Sequence, residues 1–274
     1  MTHIHNGIKI SSPNPDISSI LHIIIKSPKF TNWLDALIEK DEISFDEFVI
    51  TDVDFFGPRE PSRIGFIKGY AKGAVNKKTN DPIPGIVFIR GGSVAVLIIV
   101  SVKETGKKFI LLCKQLRFPT GGSLIEAVAG MLDHETGNFT GVVAKELEEE
   151  AGIIINEKDL LSLGVIIPSG GGCDEKIHLY ALEVEMTLAE FEEKQTKIYG
   201  EGAHERIQLL FYPYETFGQT LNEIGDVKAE CCWRRYKESM QMPAKSGLKL
   251  IIKRKFFKKS GLNLIIKKKF GKIR

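Results

Sequence analysis

Four glutamates fall within five residues in the stretch KELEEEAGIII at 145–155, and a glycine and three isoleucines follow within the same stretch. Carboxylates this close repel one another, so the segment loses stability unless a cation or solvent compensates them. Glu146, Glu149 and Glu150 stand at i, i+3 and i+4, which puts them on one face of a helix. Val142, Val143, Leu147 and Ala151 supply apolar contacts elsewhere around it. Gly152 ends the helix before an apolar run, and the apolar stretch SLIEAVAGMLD at 123–133 leads into it. A strand, a loop, an acidic helix and a further strand in series form the layout of a site. Three carboxylates on one patch make an oxygen-rich place suited to a hard divalent ion. The bland alternative is a solvated acidic face, which is what most charge runs are.

Apolar runs bounded by Gly, Pro, Asn and Asp predict strands at 64–75, 85–89, 93–102 and 109–117 before that helix. The runs at 160–167, 176–185 and 206–214 predict strands after it, and KETGKK at 103–108 reads as a hairpin turn. Phe30, Trp33, Leu34, Leu37 and Ile38 recur at helical spacing, so an amphipathic helix is expected over 30–40. Further helices are expected over 188–195 and 227–240. Strands and helices without regular alternation imply a mixed sheet covered by helices, of α/β or α+β class. A chain of 274 residues with 43% hydrophobic content can bury a substantial core of this kind.

Cys113, Cys173, Cys231 and Cys232 show no metal-ligand spacing and fit a reducing compartment. His134, His178 and His204 have no spacing that predicts zinc, and His178 reads as a strand residue. Gly170, Gly171 and Gly172 lack the following lysine and Ser/Thr of a P-loop, which removes that type of ATP site. No apolar run is long enough to span a bilayer. The N-terminus is poor in acids and contains several serines, but it lacks the arginine-rich character of a transit peptide, so targeting stays open.

The net charge of +3 hides two opposed parts, because residues 245–274 carry 12 Lys and Arg and no acid. That leaves 26 bases against 35 acids in residues 1–244. The tail is a tandem repeat in which KSGLKLIIKRKFFK at 245–258 is followed by KSGLNLIIKKKFGK at 259–272. One reading is a basic amphipathic anchor for nucleic acid or an anionic membrane. The readings preferred over it are a solvated extension or the translated product of A/T-rich sequence.

The acidic helix resembles the signature of the Nudix hydrolases: a glycine, five residues, a glutamate, seven residues, then Arg-Glu-apolar-any-Glu-Glu-any-Gly-apolar. Residues 145–153 match the second half, with Lys145 in place of arginine. In the first half Gly130 lies one residue too far upstream, and Glu135 is the nearest candidate for the glutamate. GMLDHETGNFTGVVAKELEEEAGI at 130–153 looks like the longer loop of plant-type ADP-sugar diphosphatases, a Nudix subgroup. PGIVFIRGGSVAVLI at 84–98, QLRFPTGG at 115–122, EAVAG at 126–130 and PSGGGCDE at 168–175 support the likeness. It covers residues 30–240 and excludes the tail.

The resemblance implies a Nudix α/β/α sandwich with a mixed sheet and an N-terminal β-rich region. Its division would be an N-terminal helix and β-rich region at 1–83, a Nudix hydrolase domain at 84–244 and the basic tail at 245–274. The implied activity is Mg²⁺- or Mn²⁺-dependent hydrolysis of the pyrophosphate bond of a nucleoside diphosphate sugar. ADP-glucose and ADP-ribose are the leading substrates, and the products are AMP and a sugar 1-phosphate. By the same resemblance Glu146 and Glu150 ligate metal, Glu149 ligates it or holds a bridging water, and the Ala129 carbonyl adds a further oxygen. Glu126 sits at the edge of the site, and Arg117, at the end of QLRF, grips a phosphate or the adjacent ribose. Apart from the resemblance, the Gly170–Gly172 run could cradle phosphate through backbone amides, but is read in preference as a turn beside the sugar end of the pocket.

A loop glutamate acting as base or holding a further metal is implied within EGAHERI at 201–207. Of Glu201 and Glu205, Glu205 is preferred because it lies just before a strand. A homodimer formed through the N-terminal region and a plastid or cytoplasmic location are implied as well. The rival reading is a catalytically weakened Nudix-like binding module. There Lys145 and the altered spacing report decay, and the tail supplies nucleic-acid or membrane affinity.

Overall fold

Two sheets, each with its own buried cluster, account for most of the folded chain. The computed structural model describes residues 2–132, 144, 147–149, 151–155, 157–200 and 206–241. The chain divides into two units, Met1–Cys232 and Trp233–Arg274. The first unit holds both sheets. Of the second, the described residues 233–241 are helical and form the last part of the helix Val227–Gln241.

The N-terminal sheet runs in the order β1 (His3–His5), β2 (Ile8–Ser11), β4 (Glu47–Phe55), β5 (Ile64–Lys72) and β7 (Ile86–Ile89). β2 and β4 are parallel, and the other neighbours are antiparallel. β3 (Ile43–Ser44) and β6 (Val75–Asn76) form a separate short ribbon. Helices Pro15–Ser19, Leu21–Ile24 and Pro28–Lys40 bring Ile17, Leu21, Ile24, Phe30 and Leu34 into one cluster with Ile10, Phe48, Ile50, Ile67 and Ile89 of the strands. Each such side chain contributes about 1.5–3 kcal/mol by leaving water. The first helix starts at Asn14, whose Oδ1 accepts from the Asp16 amide at 2.9 Å, and the third has Pro28 in its first turn.

The second sheet runs β12 (Leu161–Ile166), β13 (Ile177–Met186), β8 (Ser93–Val102), β9 (Lys108–Arg117), β15 (Ile207–Pro213) and β14 (Ile198–Tyr199). β13 lies parallel to β8 while the other pairs are antiparallel, so the sheet is mixed. β8, SVAVLIIVSV, is buried at every position except Ser101, which explains why its sequence is a continuous apolar run and does not alternate. Its core takes Val94, Val96, Ile98, Leu111, Tyr180, Phe191 and Leu209 together with Leu147, Ala151 and Ile153.

β8 and β9 pair only from Ile98 to Ser101, opposite Lys108 to Leu111. The other half of β9 pairs with β10 (Gly122–Glu126), and the first residues of β8 pair with β11 (Val128–Met131). Ala127 is the changeover residue between the two pairings.

The loop at 168–175 is fastened to the N-terminal sheet and to the turn that leads out of it. The Phe88 amide donates to the Gly172 carbonyl at 2.8 Å. Asp174 Oδ1 accepts from the Arg90 amide at 2.8 Å and the Gly91 amide at 3.2 Å, and burial pushes the Asp174 carboxyl above its ordinary range. Glu175 adds an ion pair to Arg90 at 3.0 Å and accepts from Ser93 Oγ at 3.0 Å.

Candidate active site

Ala144, Leu147, Glu148, Glu149 and Ala151 are helical, as the periodicity of the acidic stretch requires. Leu147 and Ala151, four residues apart, are fully buried in the second core, while Glu148 is exposed and Glu149 half-buried. The apolar stripe therefore seats the helix on the sheet, and a carboxylate remains at the solvent boundary. Gly152 ends the helix at φ +59°, its amide donating to the Glu148 carbonyl at 3.0 Å. The Ile153 amide reaches the Leu147 carbonyl at 2.9 Å.

Lys194, from the helix Leu188–Thr196, closes this helix end. Its Nζ donates to the carbonyls of Ala151 at 2.8 Å and Gly152 at 3.0 Å, and to Tyr199 Oη at 3.4 Å. A cation against the last carbonyls satisfies acceptors that the helix leaves open and complements its dipole. Burial lowers the Lys194 pKa below the usual lysine value.

At the end of β9, Arg117 and Glu126 come together across the β9–β10 pairing. Arg117 Nε donates to Glu126 Oε1 at 2.7 Å, and Gln115 Nε2 approaches the same oxygen at 3.3 Å. Lys228 Nζ holds Glu126 Oε2 at 2.9 Å and Asp226 Oδ1 at 2.9 Å. Burial opposes ionisation of Glu126, but Lys228 and Arg117 outweigh it and hold the carboxyl below its ordinary range. For Lys228 burial likewise opposes the charge, and Asp226 and Glu126 outweigh it, so the ammonium titrates above its usual range. Asp226 Oδ2 accepts from the Ala127 amide at 2.9 Å and the Ala229 amide at 3.1 Å. It thus caps the helix Val227–Gln241 and satisfies the backbone donor at the changeover between β10 and β11.

Ala129 lies in β11 opposite Ala95, three residues past Glu126. Lys145, Glu146, Glu150, Glu135, His134, His204, Glu201 and Glu205 lie outside the described residues. Among the described residues no three His, Cys, Asp or Glu side chains meet as a cation-binding group. The part of the acidic helix that is described nevertheless suits Mg²⁺ or Mn²⁺. Half-buried Glu149 offers carboxylate oxygens, the donor type these ions prefer, and the buried Leu147 and Ala151 beside it hold its turn of helix in place. His178 sits in β13, and none of the four cysteines forms a disulfide.

Lys228, Asp226, Gln115 and Lys194 were not singled out from the sequence. Asp226 carries a readable signal, an aspartate immediately before an amphipathic helix. Lys228 and Lys194 carry none, because their partners at the site, Glu126 and Ala151, lie 102 and 43 residues away in the chain.

A mixed sheet thus carries a core-seated acidic helix, with an arginine and a buried glutamate paired at a neighbouring strand end. No family model matches the chain. The chain is similar to Nudix hydrolase 14, chloroplastic, of Arabidopsis thaliana, at 36% identity in an alignment 213 residues long that covers 71% of this chain and 67% of that protein. The chain belongs to the Nudix hydrolases, and its architecture is the mixed α/β Nudix fold with an N-terminal β-rich region. No described helix is long and apolar enough to cross a membrane.

Proposed function

We propose that this Nudix hydrolase uses Mg²⁺ or Mn²⁺ to cleave the diphosphate linkage of ADP-sugars, with ADP-glucose and ADP-ribose as its substrates. The observation that carries the reading is the acidic helix itself, seated by Leu147 and Ala151 with Glu149 at the solvent boundary. Glu146, Glu149, Glu150 and the Ala129 carbonyl would hold the cation. When bound, it supplies neutralisation of the diphosphate charge and Lewis-acid activation of water. Arg117 offers guanidinium donors to phosphate oxygens and is kept in place by Glu126. Glu205 takes the proton of the attacking water. The oxygen of that water bonds to phosphorus, the bridging P–O bond breaks, and AMP leaves with the sugar phosphate, glucose 1-phosphate from ADP-glucose and ribose 5-phosphate from ADP-ribose.

Three further parts belong to the same reading. Residues 1–83 form an N-terminal region, 84–244 the hydrolase domain and 245–274 a dispensable basic tail. The protein acts as a homodimer, a reading supported by the exposure of Phe88 on the N-terminal sheet and of Phe56 just past the end of β4. A plastid location is supported by the chloroplastic Arabidopsis relative.

A panel of ADP-glucose, ADP-ribose, NADH and UDP-glucose, assayed with Mg²⁺ and with Mn²⁺, tests the substrate class. AMP in equal amount with glucose 1-phosphate from ADP-glucose, and with ribose 5-phosphate from ADP-ribose, is expected. Binding of these compounds without turnover would support the non-catalytic module instead.

A further inference from the structure

Glu126 Oε2 is the acceptor that decides how Arg117 is held. An arginine beside an open carboxylate tends to pair through two parallel N–H···O bonds, and that pairing consumes one edge of the guanidinium. Here Oε2 is occupied by Lys228 Nζ at 2.9 Å, while Oε1 is shared by Arg117 Nε at 2.7 Å and Gln115 Nε2 at 3.3 Å. Arg117 is consequently held by a hydrogen bond through Nε, and its two terminal nitrogens donate none among the described residues. Its side chain is 39% exposed against 5% for Glu126, so the guanidinium lies at the boundary of a buried anchor.

Lys228 is in turn fixed from behind. Its ammonium meets Asp226 Oδ1 at 2.9 Å, and the Asp226 carboxylate is held by the amides of Ala127, Ala229 and Lys228 at 2.9, 3.1 and 3.3 Å. The group holds two cations and two carboxylates in all, so Glu126 keeps its charge without drawing on both edges of Arg117. The first turn of the helix Val227–Gln241 is thereby connected, through Asp226, Lys228 and Glu126, to an arginine at the end of β9.

We propose that Lys228 is a positioning residue for a diphosphate-bearing substrate. By occupying Glu126 Oε2 it confines Arg117 to a single Nε bond and keeps the terminal guanidinium nitrogens for phosphate oxygens. This inference rests on the reading of Arg117 as the phosphate-gripping residue. Without the ammonium, Oε2 opens, Arg117 turns to take both carboxylate oxygens, and the substrate loses its donors. A lysine that only neutralised Glu126 would affect stability and leave the Michaelis constant of the folded enzyme alone.

Steady-state AMP release from ADP-glucose by the full chain, with circular dichroism to establish folding, separates these cases. Arg117→Gln and Lys228→Met are each expected to raise KM by about 10-fold, with kcat within about 3-fold of the parent. The double variant should be no worse than Arg117→Gln alone, because Lys228 acts through Arg117. Lys228→Arg, which keeps a cation on Oε2, should recover most of the parental KM. Asp226→Asn covers the case in which Lys228→Met fails to fold, and there KM should rise by about 3-fold through a loosened Lys228. A folded Lys228→Met or Asp226→Asn protein with unchanged KM, or additive effects in the double variant, overturns the proposal while leaving the role of Arg117 standing. An unchanged KM in Arg117→Gln overturns both, and a parent enzyme that releases no AMP contradicts the functional reading beneath them.

Discussion

Lys194 Nζ donates to the carbonyl oxygen of Ala151 at 2.8 Å, so the acidic helix ends against a cation supplied by the helix that follows it in the fold. The same ammonium reaches Gly152 O and Tyr199 Oη and lies 5.3 Å from the Tyr199 ring centre. Tyr199 closes the last pair of β14 with β15, opposite Ile207. One side chain thus ties the carboxylate-bearing helix to the β14–β15 strand pair.

Lys194→Met is expected to destabilise the protein by about 1–2 kcal/mol, the range for a partly buried cation lost from a helix end. Urea denaturation measures it. Lys197→Met is the control, since Lys197 shares the Tyr199 ring at 5.3 Å but its ion pair is with Glu193. Equal midpoints for the two variants would deny Lys194 its role at the helix end.

Gly152→Ala should cost more than an ordinary glycine replacement. The residue sits at φ +59°, where a side chain is strained, and a Cβ there would lie 2.7 Å from Tyr199 Cε1. A loss of about 2 kcal/mol corresponds to a fall in melting temperature of about 4–8 °C for a domain of this size. Thermal melts of the two proteins provide the check, and an unshifted transition would show that the helix end relaxes freely.

Glu47 joins three strands of the N-terminal sheet, meeting Lys72 at 3.0 Å and Lys9 at 3.3 Å. The hydrogen bond from Ser11, with those from Lys72 and Lys9, holds its carboxyl at about 2. A carboxylate whose folded value lies below its unfolded one stabilises fully above the unfolded value and loses that contribution as pH falls through the folded one. The stability gap between the parent and Glu47→Gln should therefore be constant from about pH 7 to about pH 5 and shrink between about pH 4 and about pH 2. Urea melts across that range test it, and a gap independent of pH would show that the ion pairs contribute nothing.

Deleting residues 245–274 should leave ADP-sugar hydrolysis unchanged and weaken any adsorption to anionic vesicles, an effect that salt would also reduce. Loss of turnover in a normally folded truncation would make the tail part of the enzyme.

Local patterns were legible where one interaction dominates. The uninterrupted apolar run of β8 announced a strand buried on both faces, and the i, i+3, i+4 spacing of the glutamates announced a helix. β4 was not anticipated: its first four residues are buried, but Asp52 and Asp54 interrupt the apolar pattern in its second half. The run at Ile20–Ile25 resolves into a short helical turn, Leu21–Ile24, because only Leu21 and Ile24 of that helix need burial. Sheet membership was equally hidden. Ile86–Ile89 reads much like β8 beside it, yet its hydrogen bonds go to β5 of the other sheet. At the site, Arg117 and Glu126 could be named from local motifs, whereas the pairing that holds them depends on Lys228, a contact across 102 residues that no local pattern encodes.

The rate of AMP release from ADP-glucose as a function of Mg²⁺ concentration, for the parent and for Glu149→Gln, tests the central claim that the acidic helix holds the metal for diphosphate hydrolysis. The parent should be inactive without divalent cation and saturate as Mg²⁺ is added. The folded variant should remain at least ~10²-fold slower at saturation, since several kcal/mol of transition-state charge stabilisation are at stake. Parental turnover in Glu149→Gln, or full activity of the parent in excess chelator, would contradict the account.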